Sequence, residues 1–256
     1  MSARIHDLLE IDAERFLEAH SSVPGWVAES LRRVPFVVVR RGPGPAEEGV
    51  AIGVRGPQRN ERWAGACRPD LVRSILTPPM LLSRLVTVSG PDPASRSASA
   101  SHPASAIGPD LATCADRATR AEAIPALRTL ALLADRWKDL ASPWGPGGSV
   151  GFELATGRHA ASPQSDLDIV IYAERRMSQD EARALCEFAQ GLPAAVDIRV
   201  ETPLCGFSLT EYANRAPASI LLRFAHGTVL GADPWADLGM ASPAPAAARP
   251  TTALPT

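Results

Sequence analysis

The sequence predicts an α+β protein: a small N-terminal α/β domain, then a core in which a mixed sheet is flanked by helices. Three observations carry this. Short β-branched or alternating runs recur at 35–41, 50–55, 166–173 and 195–201, with the length and residue types of strands. Apolar side chains at three- and four-residue steps fill 122–141 and 178–190, the period of a helix with one buried face. The composition changes at 89–111, where Pro, Ser and Ala replace large apolar residues. Such a stretch cannot offset the entropy of ordering itself. We therefore expect an N-terminal domain over 1–88, a linker over 89–111, a larger core domain over 112–240 and a disordered tail over 241–256. Limited proteolysis should cut first within 89–111, since exposed small-residue segments are nicked first.

In chain order, Asp12 is placed to cap a short helix near 12–20, because a short side-chain oxygen there accepts from free helical N–H groups. Trp26, Val27 and Leu31 form one face of a second short helix entered at Pro24. PFVVVRR (35–41) and VAIGVR (50–55) read as an antiparallel pair joined by the loop GPGPAEEG. Residues 68–88 read as helical in tendency, interrupted at Pro78 and Pro79. The helix over 122–141 carries Pro125 in its first turn and ends at Pro143. Ser178 and Glu181 have capping-box spacing at the start of 178–190, and Ser208 and Glu211 repeat it. ASILLRFA (218–225) reads as a further helix and GTVLGADPW (227–235) as a terminal hairpin or arm.

Composition excludes several classes. With 256 residues and 45% hydrophobic residues the chain can bury a real core. A formal net charge of -2 gives no global attraction to nucleic acid. No run reaches the length and apolarity of a membrane span, and the first residues, MSARIHDLLEI, do not read as a signal peptide. The four Cys have no metal or redox spacing and read as reduced. A soluble cytoplasmic protein is expected; its oligomeric state is not legible. Charge is uneven, however. Between Arg32 and Arg73 nine Arg face four acids, a net of +5. Within that segment Arg55, Arg59 and Arg62 stand close together, and the arginine fork suits phosphate. A phosphate-facing patch and a solvated face are both compatible with it.

The chemistry concentrates in 147–201. A short strand from Trp144 runs into a glycine-rich turn holding Gly148 and Ser149, and Ser165 precedes DLDIVIYA. Side chains alternate along a strand, so Asp166 and Asp168 should share one face. Asp197, in AVDIRVE, adds a third carboxylate on a neighbouring strand. Like charges at the start of a buried strand repel and lose solvation. A hard cation such as Mg2+ removes both penalties, making Asp166, Asp168 and Asp197 candidate metal ligands. Asp197 reads as ligand or as base. Arg199 shares its face, to meet phosphate or to pair with Asp166 or Asp168. Glu153 and His159 are weaker site candidates, and Trp63 and Trp137 read as core.

This combination resembles the polymerase-beta-like nucleotidyltransferase superfamily, whose signature is a Gly-Ser turn, an Asp-x-Asp pair and a third carboxylate. A narrower resemblance rests on GGSVGFELATG (147–157), SPQSDLDIVI (162–171), VDIRVE (196–201) and GFSLTEY (206–212). In the N-terminal half it rests on HDLL (6–9), VVVRR (37–41), GVRGPQRNERWAG (53–65) and TPPML (77–81). These are similar to malonate decarboxylase holo-acyl carrier protein synthases, also called phosphoribosyl-dephospho-CoA transferases. The linker is longer and richer in Ser and Ala than in that family.

The resemblance implies a polymerase-beta-like core, triphosphoribosyl-dephospho-CoA as donor and a serine of the apo acyl carrier subunit of malonate decarboxylase as acceptor. Diphosphate would leave. Gly148 and Ser149 would hold the triphosphate, and Arg55, Arg59 and Arg62 would face the dephospho-CoA phosphates or an acidic carrier. Other superfamily members act on small molecules or tRNA, and a non-catalytic module with this fold is a further possibility; the presence of all three acids argues against the last.

Overall fold

The structure is a computed structural model that describes residues 3–20, 22–42, 49–56, 61–86, 120, 122–215 and 219–236. The expected linker at 89–111 and tail at 241–256 lie outside these residues, as does Arg59. The described part is mixed α+β and contains two sheets, each with its own hydrophobic core.

The first sheet is antiparallel throughout. Its strands are β1 (Leu8–Ile11), β2 (Phe36–Val39), β3 (Val50–Arg55), β4 (Arg62–Cys67) and β5 (Val72–Leu76), in the order β4-β3-β2-β1-β5. Helices α1 (Ala13–Ala19) and α2 (Gly25–Arg33) bury Phe16, Val27 and Leu31 against Leu9, Ile11, Val37 and Ile52. Asp12 caps α1 by accepting from the Arg15 N–H at 3.2 Å, and Pro24 precedes α2, as the sequence predicts.

Three strands here are not anticipated. Leu8–Ile11 has a mixed apolar pattern, and the sequence reading assigns no element to the stretch in which β4 begins. The expected helix over 68–88 is instead a short 3-10 turn (Pro69–Leu71), then β5, then α3 (Pro78–Val86). Pro78 and Pro79 open that helix rather than interrupt it, where a missing N–H costs nothing.

The second sheet has the order β11-β10-β9-β8-β7-β6. Its strands are β6 (Trp144–Pro146), β7 (Leu167–Tyr172), β8 (Val196–Glu201), β9 (Gly206–Ser208), β10 (Ile220–Phe224) and β11 (Gly227–Gly231). The β7–β8 pair is parallel and its neighbours are antiparallel. Four helices belong with it: α4 (Pro125–Arg136), α5 (Gly148–Thr156), α6 (Gln179–Gln190) and α7 (Leu209–Asn214). Helix α6 makes the crossover that a parallel pair requires. Ser178 and Glu181 close a full capping box at its start.

Two expectations fail in this half. Within the expected helix over 218–225, Ile220–Phe224 form strand β10, pairing with β9 and β11 and burying Ile220 and Leu222. A short apolar run fits either period, and the available edge of β9 decides between them. Ser208 starts α7 without a side-chain capping bond; Glu211 accepts instead from the Leu221 N–H at 3.3 Å.

The β7–β8 ladder positions the site. Leu167, Ile169, Ile171, Ile198 and Val200 point into the core under α4 and α6. The opposite face therefore carries two columns in register, polar except at Val170: Asp168 beside Asp197, Val170 beside Arg199 and Tyr172 beside Glu201. The first sheet meets this face at its far end. The Tyr172 hydroxyl donates to the Ile5 carbonyl at 2.8 Å, and His6 and Arg41 both reach the Glu201 carboxylate. A small apolar cluster of Leu8, Leu76, Leu81 and Ala155 joins the two halves beside it.

Candidate active site

Asp168 is the centre of the site. Its carboxyl is pushed above the usual carboxylate range, first by burial and then by the charges of Asp166 and Asp197; Arg55 and Arg199 act in the opposite sense. Asp197 is its lateral partner in the parallel ladder. Asp166 lies just outside β7, exposed, so the two aspartates do not share a strand as the sequence reading had it. Asp166 is still close enough for its charge to act on Asp168.

The glycine turn sits directly on this carboxylate. The Gly147 N–H donates to the Asp168 carbonyl at 2.9 Å. Gly148 has φ of 54°, and a Cβ there would stand 1.8 Å from Asp168 Oδ2. Glycine is thus required at 148 by the backbone and by the aspartate, whereas the sequence suggested only room for phosphates. Ser149 follows in the first turn of α5. The first N–H groups of a helix have no partner within it, and their partial positive charge attracts anions. Here that end lies against the acidic centre.

Ser165 braces the approach to Asp166. Its Oγ accepts from the Ser162 N–H at 3.0 Å, and its own N–H donates to the Ser162 carbonyl at 3.0 Å. Beside it a shallow cavity of about 250 Å³ is lined by Pro125, Gln164, Ser165, Asp166, Ala194 and Ala195.

The arginines separate. Arg199 does not pair with Asp166 or Asp168; it donates to Asp197 Oδ2 from Nη2 at 2.8 Å and from Nε at 3.3 Å. A separation of two along a strand puts both on one face. Arg55, at the end of β3, is brought near enough to act on Asp168, and Arg62 is its lateral partner across the hairpin. His159 is exposed in the loop after α5. Trp137 is buried and Trp63 half-buried against Phe16.

One functional arrangement escapes the sequence reading. Glu153 is buried and does not face the carboxylates: it accepts from Arg120 Nη2 at 2.9 Å and from the Ala160 and Ala161 N–H groups at 2.8 Å. It thereby clamps the loop that leads from α5 to Asp166. The signal was a lone carboxylate within VGFELA, but nothing pointed to Arg120 as its partner. Burial pushes the Glu153 carboxyl up, yet the Arg120 guanidinium and two N–H donors hold it below its ordinary value. Glu153→Ala should lower unfolding stability by about 3 kcal/mol, because it strands a half-buried guanidinium. A folded-state value below the unfolded one gives stability that is present above the ordinary carboxylate range and lost as pH falls through the depressed value. Urea titrations of both proteins between neutral and acid pH check both points, the difference between them shrinking as Glu153 protonates.

Among the described residues no group of three or more His, Cys, Asp or Glu side chains is gathered into a metal cage, and Asp197 is engaged by Arg199. The donor set nonetheless suits a hard divalent cation: carboxylates only, mutually repelling, with the half-buried Asp168 pushed up. No described helix is long and apolar enough to cross a membrane.

Comparison with known proteins agrees along most of the chain. Residues 4–78 match the family model described as phosphoribosyl-dephospho-CoA transferase MdcG N-terminal domain, and residues 110–234 match the corresponding C-terminal domain. A phosphoribosyl-dephospho-CoA transferase from Pseudomonas aeruginosa is 32% identical over 90% of this chain and 92% of its own length. The one from Azotobacter vinelandii is 32% identical over 91% and 94%. One from Klebsiella pneumoniae is 30% identical over 91% and 96%. No solved structure matches the chain.

Proposed function

Because the chain belongs to the phosphoribosyl-dephospho-CoA transferase family, we propose that it moves the phosphoribosyl-dephospho-CoA group from triphosphoribosyl-dephospho-CoA to a serine of the apo acyl carrier subunit of malonate decarboxylase. The observation that carries this reading is the lateral pairing of Asp168 with Asp197 beneath the glycine turn at 147–148. In the reaction the serine Oγ forms a bond to the phosphorus next to the ribose. The bond from that phosphorus to the bridging oxygen breaks, diphosphate leaves, and the serine proton passes to a base. Phosphoryl transfer of this kind depends on positioning and charge stabilisation more than on a covalent enzyme nucleophile.

The chain's own residues divide these tasks. The start of α5, with Gly148 and Ser149, holds the triphosphate, since free N–H groups at a helix start suit phosphate oxygens. Asp166, Asp168 and Asp197 would hold Mg2+, which when bound neutralises phosphate charge and lowers the pKa of an attacking hydroxyl. Asp197 is also the candidate to take the serine proton, and Arg199 beside it turns toward diphosphate as charge builds there. Ser165 keeps Asp166 in place. Arg55, Arg59 and Arg62 face the dephospho-CoA phosphates or the carrier.

We read the C-terminal sheet, with a half-buried aspartate on one strand of a parallel pair and a second aspartate beside it on the next, as a polymerase-beta-like core. The division into 1–88, a linker at 89–111, a catalytic domain at 112–240 and a tail at 241–256 remains our assignment; two sheets with separate cores support it. The reading is tested by incubating the protein with triphosphoribosyl-dephospho-CoA, Mg2+ and apo carrier. The intact mass of the carrier should rise by one prosthetic group as diphosphate appears; an unmodified carrier overturns it.

The arginine assignment has its own test. Arg55→Ala, Arg62→Ala and the triple variant with Arg59→Ala are compared in steady-state kinetics at low and high salt, varying donor and carrier separately. Direct phosphate forks predict about a tenfold or greater loss in the donor parameter with little salt dependence. Docking of an acidic carrier predicts a loss confined to the carrier and erased by salt. No change in either would leave a solvated face.

A further inference from the structure

The two strands that carry Asp168 and Asp197 at their beginning carry a second polar pair, Tyr172 and Glu201, at their end. Four residues along a strand separate the pairs by about 13 Å, so this is not part of the acidic centre. The side-chain hydrogen bonds of the second pair all reach the N-terminal half. His6 Nε2 lies 2.9 Å from Glu201 Oε1, Arg41 donates to Glu201 Oε2, and the Tyr172 hydroxyl donates to the Ile5 carbonyl. The Glu201 side chain is 10% exposed and that of Arg41 17%, which places the pair out of bulk solvent.

The surroundings are built for this carboxylate. Gly206 stands opposite Glu201 in β9, and a Cβ there would lie 2.7 and 2.9 Å from its two oxygens and 3.0 Å from Arg41 Nη2. On the other side, His6 is a non-glycine residue with positive φ, 74°. Its N–H donates to the Val39 carbonyl at 2.9 Å, and the Val39 N–H donates to the Asp7 carbonyl at 2.8 Å. These bonds tie the His6 turn to the end of β2, two residues before Arg41. A strained turn persists only where its surroundings over-determine it. β3, paired to β2, ends in Arg55.

We infer that Glu201 is a positioning residue for the transfer reaction: by holding His6 and Arg41 it fixes the N-terminal sheet against the polar face of β7–β8, so that Arg55 stands over the acidic centre. This rests on the reading of Arg55 as a contact to the donor phosphates. Glu201 touches neither reacting group and acts only through the placement of Arg55. A displacement of the order of 1 Å in such a group is enough to lower rate substantially.

The test is a set of variants read in two ways. Glu201→Ala removes the latch, Glu201→Gln keeps acceptor oxygen and size, and Gly206→Ala crowds the carboxylate while leaving every charge in place. Hydrogen exchange should quicken in peptides covering 4–9 and 36–42 for Glu201→Ala and Gly206→Ala. Peptides covering 167–172 should stay protected, and Glu201→Gln should restore part of the protection. In kinetics, Glu201→Ala should lower kcat/KM for the donor about tenfold in the native background, and have almost no effect when Arg55→Ala is already present. Unchanged exchange at 4–9 and 36–42 overturns the latch. Quickened exchange with losses that multiply across the two substitutions makes Glu201 a stability residue only and overturns its positioning role. A silent Arg55→Ala, by contrast, removes the donor-contact reading on which the inference stands, and the inference with it.

Discussion

Asp168→Asn is expected to lower transfer by at least about a thousandfold, the scale on which charge stabilisation at a phosphoryl centre is lost, while the protein melts no lower than the parent. The second half of that outcome separates a catalytic carboxylate from a structural one. Asp168 is half-buried next to Asp166 and Asp197, and its carboxyl is pushed above the usual range by desolvation first and by those charges second. A carboxyl whose folded value exceeds its unfolded value weakens the fold, fully so once the pH is above the folded value, and the penalty fades as the pH drops toward 3.8. Asparagine removes the charge and keeps the size. In metal-free buffer the variant should therefore gain stability near neutral pH, and the gain should vanish toward acid pH. Adding Mg2+ should raise the Tm of the parent, since a ligand that binds only the folded state stabilises it. The same addition should leave the Asp168→Asn protein unmoved. Asp166→Ala should match it in activity with little change in Tm, because Asp166 is exposed. A folded, active Asp168→Asn enzyme would remove the acidic centre from the mechanism.

What the sequence made legible follows from which interactions are local. The capping box at Ser178, the cap at Asp12 and the left-handed Gly157 ending α5 depend on neighbours within four residues, and spacing alone reveals them. The lateral pairing of Asp168 with Asp197 was also accessible, because a strand, a helix and a second strand in succession favour a parallel pair. What escaped is non-local or shape-dependent. β10 has a partner only because β9 offers an edge, and no property of ILLRF distinguishes that strand from a buried helix. Glu153, a weaker site candidate in the sequence, is engaged by Arg120, 33 positions away. Arg199 reads from the sequence as a residue of the acidic face, with phosphate or one of Asp166 and Asp168 as its partner; in the fold it pairs with Asp197, since side-chain reach decides between neighbouring acids and periodicity does not. The Glu201 cluster joins residues separated by 195 and 160 positions, and nothing local announces it.

Gly148 is where backbone and site constrain one atom together, and its replacement should be as damaging as loss of the carboxylate. Its φ of 54° lies in the left-handed region, which costs a residue with a side chain about 1 kcal/mol. Separately, an added Cβ would stand 1.8 Å from Asp168 Oδ2 and 2.8 Å from its Cγ, far inside contact distance. Either the start of α5 or the aspartate must move, and both belong to the site. Gly148→Ala should therefore lose transfer by about a hundredfold or more and about 2 kcal/mol or more of stability. Gly147→Ala is the control: its Cβ would meet Val170 and Asp168 at 3.7 to 4.0 Å, ordinary contact, and its φ of -111° is open to any residue. It should unfold close to the parent. The two costs at 148 can also be separated. In an Asp168→Ala background the contacts to Oδ2 and Cγ are gone, leaving a tight approach to the residue-168 Cβ at 3.1 Å and the backbone strain, so Gly148→Ala should there cost clearly less, with about 1 kcal/mol of it from the backbone. Chemical denaturation of the four proteins closes the cycle. Equal costs in both backgrounds would mean that the helix start and the aspartate are not in contact, and the turn would lose its place in the site.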